Sequence, residues 1–390
     1  MYKIFLMNFL LAISTTVGMT IIPFLVTDSL GLSLAILGIL EGSTEFMSNV
    51  LRLANGVLFD KVKNKRNIFI FSTGLAFFAK AFLLVPASWS ILVSKTIERV
   101  ANGAFAAPRD AFVAEKTKNK KGMALGLLTV SKTAGCVLGP LLVSASTLFL
   151  GTLKENLNIL VVFCCLLVFP VFLMSFTLSA KGIETSEFSM REFKSVFKKI
   201  LPILFLALLF FMGRFNDGIL MIYLKHNGFP EWFYLSTIAI FNFIMLISSP
   251  FMGHHIDRGH VKKVLYITIG ALCAFNICFF HINSMNWVLA ILGIISWGIQ
   301  RTGAQIVFSS LVFQGVAKAN YGTAIGLFYI VSGFGTMVAS FICGYMAQDS
   351  FSSIFVFSGL FGFASLGLSF SLLNRKTSSI DLPGNAQQPA

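Results

Sequence analysis

Charged side chains interrupt several long apolar stretches of this sequence, and their types and spacing are the first indication of chemistry. The basic and acidic residues nearest the middle of these stretches are Arg99, Lys132, Arg214, Arg301, Glu41, Glu45, Glu98 and Asp217. A charge in contact with lipid costs roughly 2.5 to 3.5 kcal/mol, so together they would exceed the net stability of about 5 to 15 kcal/mol of a typical fold. They are expected to pair or to face a water-filled cavity.

The two signs of charge predict two roles. Because desolvation of a buried carboxylate favours its protonated form, the four acids are candidate proton carriers. The four basic residues are candidate ligands for an anionic substrate, and Asn242 and Gln300 are further candidate polar contacts. Asp217 follows Arg214 by one helical turn, so it is alternatively the permanent ion-pair partner of that arginine.

A polar stripe accompanies the first two acids. At helical spacing Glu41, Glu45, Asn49, Arg52 and Gly56 fall on one face, and this stripe predicts either a proton path or a structural contact between helices.

Three further basic residues lie nearer the predicted membrane surfaces. Arg52, Lys80 and Lys95 are expected to extend to those surfaces, although Lys95 is also spaced to pair with Glu98.

The elements that must position these residues follow from composition. The 390 residues are 56% hydrophobic and only 12% charged, which excludes an ordinary soluble enzyme. Because about 20 apolar residues span a bilayer, the apolar runs predict twelve membrane helices, in two sets of six: residues 4–27, 34–58, 67–87, 89–109, 122–149 and 156–179, then 200–224, 232–253, 263–284, 286–312, 322–346 and 351–374.

The distribution of basic residues predicts the orientation. Lysine and arginine accumulate in short cytoplasmic loops, and most of the 30 basic residues fall on one predicted side, whereas Lys154 and Lys225 fall on the other. Both termini are therefore expected to be cytoplasmic, and the formal net charge of +14 reflects topology rather than a nucleic-acid partner.

The two sets of helices resemble each other in sequence. Gly56, Asp60 and Lys61 after the second helix recur as Gly253, Asp257 and Arg258 after the eighth. Such parallel repeats predict an all-α membrane protein with two six-helix halves around a central cavity. The expected domains are a first half at 1–179, a cytoplasmic linker at 180–199, a second half at 200–374 and a disordered cytoplasmic tail at 375–390.

The repeated motif resembles the cytoplasmic signature loop of the major facilitator superfamily. The resemblance implies a latch that holds the cytoplasmic side closed during alternating access, formed by Gly56, Asp60, Lys61, Arg66, Gly253, Asp257 and Arg258.

Helix five also resembles that family, in its antiporter motif. Gly126, Gly135, Gly139 and Pro140 are expected to allow close helix packing. Helix four is similar to a bacterial branch of the same superfamily, through Glu98, Arg99 and the run from Pro108 to Ala111. Asn102, Phe105 and Lys132 depart from the usual residues of that branch, so the substrate is not carried over.

Together these observations predict a proton-coupled secondary transporter in a bacterial inner membrane. The excess of basic over acidic residues inside the membrane favours a small organic anion or amphipathic metabolite, such as a carboxylate siderophore, and the helix-five motif favours export. Import by proton symport and export of cationic drugs are the alternatives. The expected partners are lipid, protons and a small molecule, and the protein is expected to be a monomer without enzymatic activity, cofactor or metal.

Overall fold

The computed structural model describes residues 2–61, 65–85, 87–116, 121–178, 190–282, 285–316 and 321–375. The regular structure of these residues is helical. The helices are α1 (Tyr2–Phe24), α2 (Leu34–Lys61), α3 (Lys65–Phe82), α4 (Ser88–Lys116), α5 (Lys121–Phe149), α6 (Leu153–Ser175), α7 (Met190–Met212), α8 (Asp217–His226), α9 (Glu231–Asp257), α10 (Val261–Phe280), α11 (Trp287–Gln314), α12 (Tyr321–Asp349) and α13 (Phe351–Arg375). A short π-helix, Leu25–Ser29, extends α1.

Each predicted membrane span corresponds to a helix, with one interruption. The span predicted at 200–224 divides into α7 and α8, because the chain leaves the helical conformation after Met212. Asn216 then has extended dihedral angles, and its side chain accepts a hydrogen bond from the Gly218 amide at 2.6 Å, which caps the start of α8. A second difference is that α7 begins at Met190, inside the segment expected to be a linker.

Eight helical segments of the described residues are long and apolar enough to cross a membrane by length and composition. The helices α2, α3, α4 and α11 are not among them. These four helices carry most of the charged residues expected at the centre, including Glu41, Glu98, Arg99 and Arg301. The charged residues that lower the hydropathy of these four helices are therefore the ones that lie together at the middle of the bundle.

Small residues allow helices to approach closely at two interfaces. Between the halves, α2 crosses α12, and a Cβ at Gly344 would lie 2.6 Å from the Leu34 carbonyl oxygen. Within the first half, α5 packs on α1, where a Cβ at Gly135 would lie 2.6 Å from the Phe9 carbonyl oxygen. These contacts exclude larger side chains at both glycines.

The predicted packing residues on α5 differ in their surroundings. Gly139 contacts Thr16 and Ile13 of α1, and Pro140 beside it is also buried. Gly126 is exposed, and no described residue beyond its own helix lies within 4 Å of where its Cβ would be, so its packing role stays a prediction. The close contact between α5 and α1 begins further along the helix, at Gly135.

The bundle has two distinct ends. We call the end that contains the start of α1 and the end of α13 the terminal end, and the other the opposite end. At the opposite end the halves are joined by an ion pair of 2.5 Å between Lys225 and Asp28 and by ring contact of Phe24 with Tyr234 at 5.1 Å. Ser144 on α5 also donates a hydrogen bond to the Trp232 carbonyl there, at 2.7 Å.

Candidate functional site

A buried ion pair joins α3 and α4 in the first half. The Lys80 ammonium donates to the Glu98 carboxylate at 2.6 Å, and their side chains are only 2% and 5% exposed. Gly18 on α1 makes room for them, because a Cβ there would lie 2.8 Å from Lys80 Nζ. The Glu98 carboxylate neutralises Lys80, so the lysine can stay buried with its charge. The expectation that Lys80 extends to the membrane surface is therefore wrong.

A second group of charges joins α2 to α4. Lys95 donates to Glu41 Oε1 at 2.5 Å, and both side chains are almost fully buried. Arg99 lies 3.3 Å from the Glu45 carboxylate and 4.0 Å from that of Glu41. Lys95 thus pairs across helices with Glu41 rather than along its own helix with Glu98, and it does not extend to the surface. We call these residues and the Lys80–Glu98 pair the first-half centre.

The second half contains a smaller group of charges around Asp217, the first residue of α8. Arg301 Nη1 lies 2.5 Å from both carboxylate oxygens of Asp217, and the Trp297 indole donates to Oδ1 at 2.8 Å. Both donors come from α11. The expected pairing of Asp217 with Arg214 is wrong, because the helix break separates the two residues and α11 supplies the partner instead.

Arg214 lies in the break between α7 and α8. Among the described residues its guanidinium forms no ion pair, and its buried Nε has no hydrogen-bond partner. Its charge lies 5.2 Å from the centre of the Phe211 ring and 6.0 Å from that of Trp297. Cation–π contacts of this kind stabilise the charge partially. We call Arg214, Asp217, Trp297 and Arg301 the second-half centre.

Among the described residues, a hydrogen bond from Asn216, which lies between Arg214 and Asp217, links the second half to the first-half centre. The Asn216 amide donates to Glu41 Oε2 at 3.2 Å, across the boundary between the halves. The charges are also close enough to influence each other, since Arg99 experiences Asp217 and Arg214 experiences Glu45. Sequence reasoning missed Asn216 and Trp297. The extended conformation of Asn216 has a signal in the sequence, because asparagine before an acidic residue is typical of a helix N-cap.

The remaining predicted substrate residues are less closely associated with the centres. Lys132 is exposed on α5, near Cys136, which also experiences the charge of Arg301. The Asn242 amide donates to the Ile238 carbonyl of its own helix at 2.7 Å. Gln300 is fully buried, and neither of its amide atoms has a hydrogen-bond partner in the structure.

Exposure increases towards the terminal end on both sides of the centre. The Glu41 side chain is 2% exposed, whereas that of Glu45, one turn nearer the terminal end of α2, is 39% exposed. On α11 the Arg301 side chain is 23% exposed, and Gln305, one turn further in the same direction, is exposed. The charged side chains of the centre thus become more accessible towards the terminal end.

The predicted latch lies at the terminal end, away from the centres. Gly253 has open space around it, and Asp257 and Arg258 are exposed at the end of α9, where Gly259 has a φ of +82° and ends the helix. Arg66 is exposed near the start of α3. Gly56, Asp60 and Lys61 belong to α2, but their side chains, and that of Arg52, lie outside the described residues.

A bundle of apolar helices with paired charges at its middle is typical of one class of protein, the multi-pass membrane transporters. The family model described as Major Facilitator Superfamily matches residues 4–339. The chain belongs to this superfamily, whose members are transporters and not enzymes. The all-helical membrane fold and the resemblance found in the sequence are confirmed.

Known relatives agree with this assignment. An uncharacterized MFS-type transporter of Methanocaldococcus jannaschii, MJ1317, is 27% identical over 376 residues, which cover 92% of this chain and 91% of the relative. The crystal structure of the nucleoside transporter NupG aligns with a TM-score of 0.79 at 15% identity, covering 96% of this chain and 98% of that one.

A solved structure from the proton dependent oligopeptide transporters aligns with a TM-score of 0.74 at 12% identity, covering 96% of this chain and 97% of that one. At such identities the two solved structures support the fold alone.

Proposed function

We propose that the protein is a proton-coupled secondary transporter of a small organic anion, with export as its direction. The observation that supports an anion is the balance of charges at the centre. Glu41, Glu45, Glu98 and Asp217 each have a basic partner within 4.0 Å. Arg214 forms no ion pair with the described residues. The second-half centre therefore carries a cation that an anionic ligand would neutralise.

The position of Arg214 strengthens this argument. It precedes the N-terminus of α8, where unpaired backbone amides carry partial positive charge. A guanidinium also presents several donors in a fixed plane that matches a carboxylate. A carboxylate bound at Arg214 would thus meet charge and hydrogen-bond donors together, while a cationic drug would be repelled.

The walls of the centre favour an amphipathic solute. Phe211 and Trp297 flank Arg214, and Arg301 lies 4.7 Å from the centre of the Phe241 ring. Aromatic surfaces of this kind bind the apolar body of a ligand whose acidic group is held by arginine. Carboxylate siderophores belong to this chemical class.

Proton coupling is supported by the four acids in the apolar part of the bundle. The preference for export follows from the glycine and proline motif of α5. Symport of the anion into the cell is the second direction that the same chemistry allows.

Transport by purified protein in proteoliposomes tests the proposal. A pH gradient is imposed, and internal pH is followed while citrate, a citrate-based siderophore, a nucleoside, a dipeptide or a cationic dye is added. Proton flux that depends on an anion is expected, and its sign gives the direction. Flux with the dye alone would contradict the anionic substrate, and anion transport without proton movement would contradict the coupling.

Two variants make this assay specific for the centre. Arg214→Gln is expected to abolish most anion-dependent flux. Lys154→Gln, which removes an exposed charge at the opposite end, is the matched control and is expected to transport normally. Equal loss in both variants would show that general charge, and not Arg214, determines anion transport.

A further inference from the structure

Glu41 is the buried acid whose described partners come from both halves of the bundle. Lys95 on α4 holds one carboxylate oxygen and Asn216, in the break before α8, donates to the other. By contrast, Glu98 is held by Lys80 within the first half, and Asp217 is held by Trp297 and Arg301 within the second. Protonation of Glu41 thus acts on a contact between the halves.

We propose that Glu41 is the acid that binds the transported proton, and that Asn216 is the positioning residue that transmits its charge state to α8. The inference rests on the proton coupling of the proposed function and names the site of that coupling. The ionised carboxylate holds the opposite end closed, and its protonation favours opening there.

The orientation of Asn216 makes this contact specific. Its Oδ1 accepts a hydrogen bond from the Gly218 amide, so its Nδ2 is the atom that faces Glu41. The next residue, Asp217, is held by α11. Because the cap fixes Asn216 to α8 and Asp217 fixes α8 to α11, Asn216 moves only with the second half.

Protonation of Glu41 weakens its contacts with both Asn216 and Lys95. An ionised acceptor forms a stronger hydrogen bond with Asn216 than a neutral one. It also neutralises Lys95, which is 1% exposed, and a buried cation that loses its counter-charge strongly destabilises the structure around it. Lys95 lies one turn nearer the opposite end than Arg99, so separation of the halves at that end would bring water to it.

The other groups around Glu41 do not duplicate this role. Glu45 lies on the same helix and is more exposed, and α12, packed against α2, presents Met337 and Ser340, which do not titrate. The charged groups on the segments around Glu41 and its partners are Lys80 on α3, Lys95, Glu98 and Arg99 on α4, Arg214 before α8, Asp217 on α8 and Arg301 on α11. Glu98 and Asp217 each have a basic partner, and Asp28 and Lys225 pair with each other at the exposed edge of the opposite end.

The test measures the opening of the opposite end as a function of pH, without substrate. Spin labels are attached at Lys154→Cys and Met285→Cys, which are exposed and belong to different halves, in a full-length background without the six free cysteines. Distances between the labels in lipid nanodiscs are recorded from about pH 8 to about pH 5. The separated population is expected to grow about tenfold relative to the closed one as pH falls, equivalent to about 1.4 kcal/mol.

Three variants decide the assignment. Glu41→Gln is expected to show the low-pH distribution at every pH. Asn216→Ser retains an N-cap oxygen but is too short to reach Glu41, so it is expected to lose most of the pH response while α8 remains capped. The matched control is Asn276→Ser, which shortens a buried asparagine of the second half whose amide donates within its own helix, α10, and it is expected to keep the wild-type response.

Two results would overturn the inference: a wild-type distribution that does not change with pH, or a response that survives in both Glu41→Gln and Asn216→Ser. A response lost in Asn276→Ser as well would also overturn it, because the loss would then follow from shortening any buried asparagine and not from the contact with Glu41. None of these outcomes depends on the transported solute, so failure here is distinguishable from failure to find anion-dependent flux. If Glu41→Gln does not fold, Asn216→Ser alone decides.

Discussion

The two halves of the bundle differ in how their buried charges are neutralised. In the first half, Lys80, Lys95 and Arg99 are balanced by Glu41, Glu45 and Glu98, and most of these side chains are almost fully buried. In the second half, one carboxylate, Asp217, is held by Arg301 and Trp297, while Arg214 is left with aromatic rings as neighbours. This difference is the basis of the proposed roles, in which the first half binds the proton and the second half binds the anion.

The largest expected effect tests whether the first-half centre is a paired network. Glu98→Gln leaves Lys80 as a buried cation without a counter-charge. The free energy of unfolding of this variant is therefore expected to be about 3 to 5 kcal/mol lower than that of the wild type. The double variant Lys80→Met with Glu98→Leu replaces the pair by apolar side chains and is expected to recover most of that loss. Thermal unfolding in detergent measures both. Equal destabilisation of the single and double variants would show that packing, and not charge, dominates at this position.

The next largest effect separates binding from stability in the second-half centre. Arg214→Gln is expected to lower kcat/KM for the anion about 10- to 100-fold, because a hydrogen bond to a charged group contributes about 1.5 to 3 kcal/mol. Its Tm is expected to be unchanged or higher, since the wild-type cation has no ionic partner among the described residues.

Arg301→Gln provides the contrast for this prediction. It deprives Asp217 of its cation, so both transport and Tm are expected to fall. If Arg214→Gln instead unfolds the protein while Arg301→Gln does not, then Arg214 is the structural cation and the assignment of roles within the second half is reversed.

Much of the fold was predictable from the sequence because the signal is local. Each span needs about 20 mostly apolar residues in a row, so the twelve spans are visible without knowledge of their neighbours. The break at residues 213–216 was not visible, because that segment is short and its flanks are apolar on both sides. It depends on the cap at Asn216 and on the attachment of Asp217 to α11, which are contacts of the folded chain.

The depth of a charged residue was easier to predict than its partner. The positions of Glu41, Glu98 and Asp217 within apolar runs correctly indicated burial. Lys80 was expected at the membrane surface, because its place near a helix end gives its depth but not the direction of its side chain. Its partner Glu98 lies on the next helix, and only the packing of α3 on α4 brings the two together. Ion pairs between helices require this tertiary information, and spacing along one helix does not contain it.

A smaller effect tests whether Asp217 depends on more than its ion pair. Trp297→Phe removes the indole donor but retains an aromatic ring beside Phe215 and Phe275, whose ring centres lie 5.5 Å and 4.3 Å away. The free energy of unfolding is expected to fall by about 1 to 2 kcal/mol, since the Asp217 carboxylate keeps Arg301. Thermal unfolding measures this. The matched control is Phe275→Leu, which alters the same aromatic packing without removing a hydrogen bond, so a Trp297→Phe loss no greater than the control would indicate packing alone.

The smallest expected effect concerns the exposed ion pair that joins the halves outside both centres. Asp28 and Lys225 are 42% and 40% exposed, and exposed pairs contribute about 0.2 to 1 kcal/mol because water screens them. A double-mutant cycle with Asp28→Asn and Lys225→Gln, followed by the closed population in the spin-label measurement, is expected to give a coupling in that range that weakens at high salt. This value sets the scale for the Glu41–Asn216 contact, which is more buried and should change the same population more. A coupling at Asp28 and Lys225 larger than the effect of Asn216→Ser would place the control of opening at the surface of the bundle and not at its centre.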